Sequence, residues 1–248
     1  FFEISNNLIK NKMKKINSNK IKLFLDGPKI DEIEKKYEIE IDGYTFNPSL
    51  FKKNGAKDYL NYCQEILKMC NNKPVSFEVI ADDESNMVRQ GIKLSQLSDS
   101  IYVKVPIVFT NGKSTLNVIK KLSGEGIKLN ITAIFLIEQI KSILQEIKKT
   151  KSILSIFAGR LYDSGTDAKI KMGEINKFVH NNSDCETLWA STRMVYDYRQ
   201  ALEVGTDIIT MQVDHLKKMK LFNLDATDYS IKTVKQFYED AVDSGFKF

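Results

Sequence analysis

The chain has 248 residues, the usual size of a single (β/α)8 barrel, and its 42% hydrophobic and 28% charged content excludes a disordered chain. The net charge of +5 is concentrated at the start, where Lys10, Lys12, Lys14, Lys15 and Lys20 face only Glu3. The remainder is therefore near neutral, which excludes an extended nucleic-acid groove with its many clustered cations.

No apolar run reaches the roughly 18 to 20 residues that span a bilayer, and the start lacks the apolar core of a signal peptide. A cytoplasmic protein with no membrane partner is expected. Opening on Phe1 is expected of a processed or truncated product. Residues 1–20 read as a basic amphipathic arm and residues 21–248 as the barrel domain. Three cysteines make no zinc pattern: Cys63 and Cys70, seven apart in a helical stretch, share one face and read as core, and His180 and His215 stand apart from them in sequence.

In chain order, short runs rich in Val, Ile and Phe alternate with longer segments of helical period, the pattern of a parallel sheet with crossover helices. Strands are predicted at 21–25, 42–46, 75–80, 101–105, 127–132, 152–157, 186–190 and 207–211. Helices are predicted at 28–36, 56–69, 82–97, 112–122, 136–147, 168–179, 194–204 and 213–219, with a trailing helix at 230–242. Pro28 suits the first turn of its helix. Gly124, Gly126 and Gly205 stand where helices should stop. Eight strands and eight crossovers predict an α/β fold, a single closed TIM barrel with a short N-terminal arm and an extra C-terminal helix. The first strand runs into Leu25-Asp26-Gly27-Pro28 rather than a Gly-rich dinucleotide fingerprint, and no phosphate-loop motif occurs.

Barrel sites form at the C-terminal ends of the strands, so polar residues there are the first candidates. They are Asp26, Asn47, Glu78, Lys104, Thr132, Ser155 and Ser191. Lys104 sits inside Ile-Tyr-Val-Lys-Val-Pro, where a solvated lysine is out of place. Desolvation disfavours an ammonium and favours the neutral, nucleophilic amine. An edge lysine, or an ion pair with Glu78 or Asp26, fits the period equally well. Asp26 and Glu78 come from different strands and can serve separate proton transfers at one mouth, or cap a helix and pair with Lys104. Arginine is scarce, with only Arg89, Arg160, Arg193 and Arg199. Arg160 and Arg193 follow strands six and seven, where a planar fork suits a phosphate, a surface ion pair being the plainer alternative.

Seven segments in order, LFLDG (23–27), TFNPSL (45–50), SFEV (76–79), VKVP (103–106), NIT (130–132), SIFAGR (155–160) and ASTR (190–193), together resemble the transaldolase family, especially its short members close to fructose-6-phosphate aldolase. The resemblance implies Lys104 as the Schiff-base lysine, Asp26 as the base for the C4 hydroxyl, and Glu78 acting through a water held with Thr132. It also implies Asn47 and Ser155 as dihydroxyacetone-binding residues and Arg160, Ser191 and Arg193 as the phosphate pocket. Neither a metal nor an organic cofactor follows from it. The partners it implies are sugar phosphates and, from the last helix, further copies of the chain in a homo-oligomer.

The family usually writes a threonine at Phe46 and a small polar or acidic residue at Tyr162, so these two positions bear on the sugar accepted. In the aldolase members a glutamine and a tyrosine hold the places of Glu78 and Phe157. Three activities are therefore weighed: transfer of a dihydroxyacetone unit between sugar phosphates, aldol cleavage of fructose 6-phosphate, and a non-catalytic sugar-phosphate-binding barrel.

Overall fold

Eight parallel strands pair in chain order and close on themselves, β8 returning to β1, in the computed structural model, which describes residues 21–247. The strands are β1 Lys22–Asp26, β2 Gly43–Thr45, β3 Val75–Glu78, β4 Ile101–Pro106, β5 Leu129–Ile134, β6 Ile153–Ile156, β7 Glu186–Trp189 and β8 Ile208–Met211. This is the expected TIM barrel. The basic arm expected over 1–20 lies outside the described residues.

Side chains alternate across a strand, and here the two faces differ in chemistry. The outward face carries Phe77, Val103, Val105, Ile131, Leu154 and Ile156, all fully buried. Burying each such side chain contributes about 1.5–3 kcal/mol, which holds the helices on the barrel. The inward face is apolar only in part. Phe24, Ile153, Leu188 and Ile208 cluster in it, and polar residues alternate with them toward the strand ends. The register sets Asp26 beside Thr45, Glu78 beside Lys104, Lys104 beside Asn130, and Phe24 beside Thr210.

The connecting helices are α1 Ile30–Ile33, α2 Pro48–Lys53, α3 Tyr59–Met69, α4 Glu84–Ser95, α5 Leu116–Gly124, α6 Ile137–Ile147, α7 Ala158–Asp163, α8 Ala168–Asn182 and α9 Asp197–Glu203. All nine predicted helices have a counterpart, with corrections at their ends. Pro28 is not in a first turn: Lys29 is the N-cap and α1 a single turn. The helix expected from 112 begins at Leu116, because Val108 and Ser114 bridge first. Two short helices, α2 and α7, were not expected. Gly126 and Gly205 do follow helix ends, both with positive φ.

Packing divides the chain after Val213. The second unit, Asp214–Phe248, holds most of α10 (Val213–Lys218), a 3-10 turn at Met219–Leu221, and the extra helix α11 (Ala226–Ser244). Asp225 caps α11 by accepting from the backbone N–H groups of Thr227 and Asp228, and Gly245 ends it in the left-handed conformation. None of its residues is buried, and Tyr229, Ile231, Val234, Phe237, Tyr238 and Val242 are all exposed.

Candidate active site

A small cavity of about 80 Å3 opens among the C-terminal strand ends. Its lining contains Asp26, Asn47, Lys104, Thr132, Ser155, Phe157, Arg160 and Ser191, eight of the ten residues singled out in the sequence. Glu78 and Arg193 are the exceptions. Glu78 faces the Lys104 amine and otherwise lines a flank cavity with Tyr59, Ile80 and Gln90. Arg193 is outside the lining but donates to Ser191, which is part of it.

Lys104 is 5% exposed. Its Nζ donates to the Phe46 carbonyl at 3.0 Å and lies 3.3 Å from Glu78 Oε2. The ion pair considered as the plainer alternative is thus present, and its Lys104 end also lines the cavity. An ammonium taken out of water needs such partners. The Tyr59 hydroxyl donates to the Glu78 carbonyl at 2.5 Å and anchors the end of β3.

The Asp26 carboxyl is half-buried and lines the cavity. It does not cap a helix. Its Oδ1 accepts from the Thr45 hydroxyl at 2.9 Å. Desolvation raises its pKa above the usual carboxylate range, the nearby Lys104 charge and the Thr45 hydrogen bond pull it back, and Glu78 adds to the rise. The net effect is a carboxyl that takes a proton more readily than an exposed aspartate.

Thr132 Oγ1 is buried with no hydrogen-bond partner. An orphaned buried hydroxyl costs stability unless something reserves it, and this one lines the cavity. The next residue, Ala133, has φ +59°, and the β5–β6 register shifts between Ile131 and Ile134, so the end of β5 is strained where Thr132 is presented. Asn47 caps α2, its Oδ1 accepting from Leu50 N at 2.9 Å with Pro48 in the first turn. That cap leaves its Nδ2 unengaged. Ser155 donates to Asn130 Oδ1 at 2.7 Å, and Asn130 donates to Ser76 Oγ at 3.0 Å, forming a buried polar layer beneath the cavity.

On the opposite wall, α7 and the turn after β7 come together because Gly159 has no side chain. A Cβ there would fall 1.6 Å from the Ser191 carbonyl oxygen. This close approach brings Arg160 next to Ser191, itself held at φ +63°. The Arg160 guanidinium lies over the Phe157 ring, 5.2 Å from its centroid, and Phe157 packs on Phe135. Arg193 is pinned by Asp163, which accepts from Nε at 2.9 Å and from Nη2 at 2.5 Å, while Nη1 donates to the Ser191 carbonyl and hydroxyl. Fully buried Asp197 accepts from Arg193 N at 2.7 Å and Met194 N at 3.2 Å and fixes this turn.

The sequence profile of the Transaldolase/Fructose-6-phosphate aldolase family matches residues 23–247, nearly all of the chain described above. The chain belongs to this family. Among curated relatives, a protein named "Probable transaldolase" from Methanococcus maripaludis strain C5 is 35% identical over 213 residues, covering 85% of this chain and 94% of its own. One of the same name from Leptospira biflexa is 34% identical over 194 residues, covering 76% and 85%. Solved structures give the fold alone. Thiamine phosphate pyrophosphorylase from Pyrococcus furiosus superposes with TM-score 0.53 at 9% identity over 78% of this chain and 86% of its own. Oxaloacetate acetylhydrolase does so with TM-score 0.54 at 9% identity over 95% and 87%.

Within this transaldolase-family barrel the two departures from the usual family pattern are repositioned. The Phe46 ring is fully buried between Phe51 and Phe77, on the helix side of β2, so only its carbonyl reaches the site. The Tyr162 ring packs on Trp189 and its hydroxyl bonds Gln200, away from the cavity lining. Neither ring is among the side chains that line the cavity. Conversely, Thr45, Asn130, Asp163, Asp197 and Thr210 are tied to the site and were not singled out. Thr45 and Asn130 lay within segments that carry the resemblance, one strand-period from Asn47 and Thr132, and that period was the available signal.

Proposed function

We propose that this protein is a Schiff-base transaldolase that moves a dihydroxyacetone unit from a ketose phosphate, sedoheptulose 7-phosphate or fructose 6-phosphate, to an aldose phosphate, as in the non-oxidative pentose phosphate pathway. The observation that carries the reading is Lys104, a buried amine 3.3 Å from Glu78 in the same barrel mouth as Asp26. A binding protein needs no such trio, which disfavours the non-catalytic alternative.

In this scheme the Lys104 amine attacks the ketone carbon to give a carbinolamine, and loss of water gives the imine. Glu78 exchanges the protons of that step through a water held by the free Thr132 hydroxyl. Asp26 takes the C4 hydroxyl proton, the C3–C4 bond breaks, and the aldose phosphate leaves. The bonding electrons remain on the three-carbon unit, which stays attached to Lys104 as an enamine. An acceptor aldehyde then forms the new bond, its oxygen takes a proton back from Asp26, and hydrolysis frees Lys104. Asn47 and Ser155 suit the hydroxyls of the three-carbon unit, and Arg160, Ser191 and Arg193 the phosphate. The mechanism calls for no cofactor. We place the enzyme in the cytoplasm as a homo-oligomer, a reading supported by the exposed apolar residues of α11.

Aldol cleavage with release of free dihydroxyacetone is the second reading, and Phe157 speaks against it. A phenyl ring offers no hydroxyl to position a hydrolytic water, so the enamine should persist until an aldehyde arrives. The test is fructose 6-phosphate consumption with and without erythrose 4-phosphate. Turnover should require the acceptor, and Phe157→Tyr should increase dihydroxyacetone release. Fast cleavage without an acceptor would reverse the order of the two readings.

A further inference from the structure

One pair of groups in the cavity wall has no part in this chemistry. Thr45 on β2 donates to Asp26 Oδ1, and its Oγ1 lies 2.6 Å from Thr210 Oγ1 on β8. β2 and β8 are the two strands that flank β1, so the hydroxyl pair runs from one neighbour of Asp26 to the other. Both threonines are buried, at 2% and 3% exposure, and both line the cavity. Thr210 is itself held in place, its carbonyl accepting from the Thr192 hydroxyl at 3.3 Å.

A threonine hydroxyl has one proton to give and two lone pairs to accept with. When Asp26 is ionised, the Thr45 proton is committed to the carboxylate, so Thr210 must be the donor in the 2.6 Å contact. When Asp26 holds a proton, its O–H can donate to Thr45, and Thr45 can turn its own proton to Thr210. Reversing two hydroxyl rotors keeps the carboxyl bonded in either form. Hydrogen-bonded chains of this kind polarise one another, and Thr210 strengthens what Thr45 gives to the carboxylate.

We propose that Thr210 is a positioning residue that acts on Asp26 through Thr45, the two hydroxyls forming a donor chain whose direction reverses as the carboxyl gains and loses its proton. This rests on Asp26 being the proton acceptor of the reaction proposed above. The charged groups facing Asp26 are Lys104 from β4 and Glu78 from β3, with Arg160 of α7 on the cavity wall, whereas β2, the α2 cap and β8 present only uncharged Thr45, Asn47 and Thr210 to the cavity. Loss of the Thr210 donor leaves those charges in place and weakens only the contribution that favours the ionised form.

The test is the pH profile of kcat for transfer from fructose 6-phosphate to erythrose 4-phosphate in Thr210→Val, with Thr210→Ala as the variant that deletes the donor without a branched replacement, and Thr210→Ser. The donor-deleted forms should lose about 3- to 10-fold in kcat, the worth of one ordinary hydrogen bond. Their acid limb should move to higher pH with KM unchanged, and Thr210→Ser should restore both. Thr45→Val/Thr210→Val should be no slower than Thr45→Val alone. A uniform loss with an unmoved acid limb, or additive effects in the double variant, overturns the proposal. Borohydride trapping separates the two levels. An adduct on Lys104 in every variant keeps the Schiff-base reading whatever the profiles show, and none in the unmodified protein removes that reading itself.

Discussion

The two walls of the barrel mouth are built on different principles. On the β1–β4 wall Lys104 is buried and Glu78 and Asp26 are half-buried, held by the Lys104–Glu78 ion pair, the Phe46 carbonyl and the Thr45 hydroxyl. On the β6–β7 wall the cations are exposed, Arg160 lying over an aromatic ring and Arg193 held in a bidentate pair with Asp163. In the proposed mechanism an amine and a carboxyl trade protons on the first wall, and the burial that raises the Asp26 pKa favours that exchange. The second wall needs only geometry, because a guanidinium keeps its charge in water. Substitutions should therefore act through protonation on one wall and through affinity on the other.

The largest contrast is expected at Asp26. Asp26→Asn should lower kcat by about 10^2- to 10^4-fold, the range of a general base, with little change in KM. It should also stabilise the fold. The folded-state pKa of Asp26 is raised, so its ionised form is a net cost to the native state at neutral pH. That cost fades as pH falls through the folded pKa toward the unfolded value. The Tm of Asp26→Asn should accordingly exceed that of the unmodified protein at neutral pH and converge with it in acid, as a pH series of thermal melts would show. A lower Tm at neutral pH would mean that the Lys104 attraction outweighs burial.

Smaller effects belong to the other wall. Arg160→Ala should raise KM for phosphorylated donors about 10-fold, on the order of 1.4 kcal/mol for a partly solvated contact, and leave kcat and unphosphorylated donors nearly unchanged. Equal weakening of both donor types, measured side by side, would place the phosphate elsewhere. Smallest of all is Asp163→Asn. The ion pair is exposed, so stability should fall only slightly, and added salt should shrink the difference. A larger loss, read from denaturant midpoints, would mean that Asp163 holds the β6–β7 wall together rather than merely orienting Arg193.

Much of this was legible in the sequence because a parallel barrel repeats one unit. Each apolar run bounded by a helical period gave a strand, and the polar residue at its end fell in the mouth. The elements that escaped were short. The α2 helix carries its signal in Asn47-Pro48, a cap followed by a first-turn proline, but six residues are too few for periodicity to show. The α7 helix begins with Ala-Gly, and Gly159 is there for close approach to Ser191, a demand made by tertiary structure. The site residues that escaped, Thr45, Asn130 and Thr210, are strand residues whose importance lies in which neighbour they bond across the barrel. Phe46 taught the opposite lesson. Adjacent to a site residue in sequence, it points to the other face, because side chains in a strand alternate.

The most direct measurement is peptide mapping after borohydride reduction in the presence of fructose 6-phosphate. One stable three-carbon adduct, or the intact ketose if cleavage is slower than trapping, should be found on the peptide containing Lys104, and Lys104→Ala should give none. Labelling of another lysine, or equal labelling of Lys104→Ala, would contradict the assignment of Lys104 as the nucleophile.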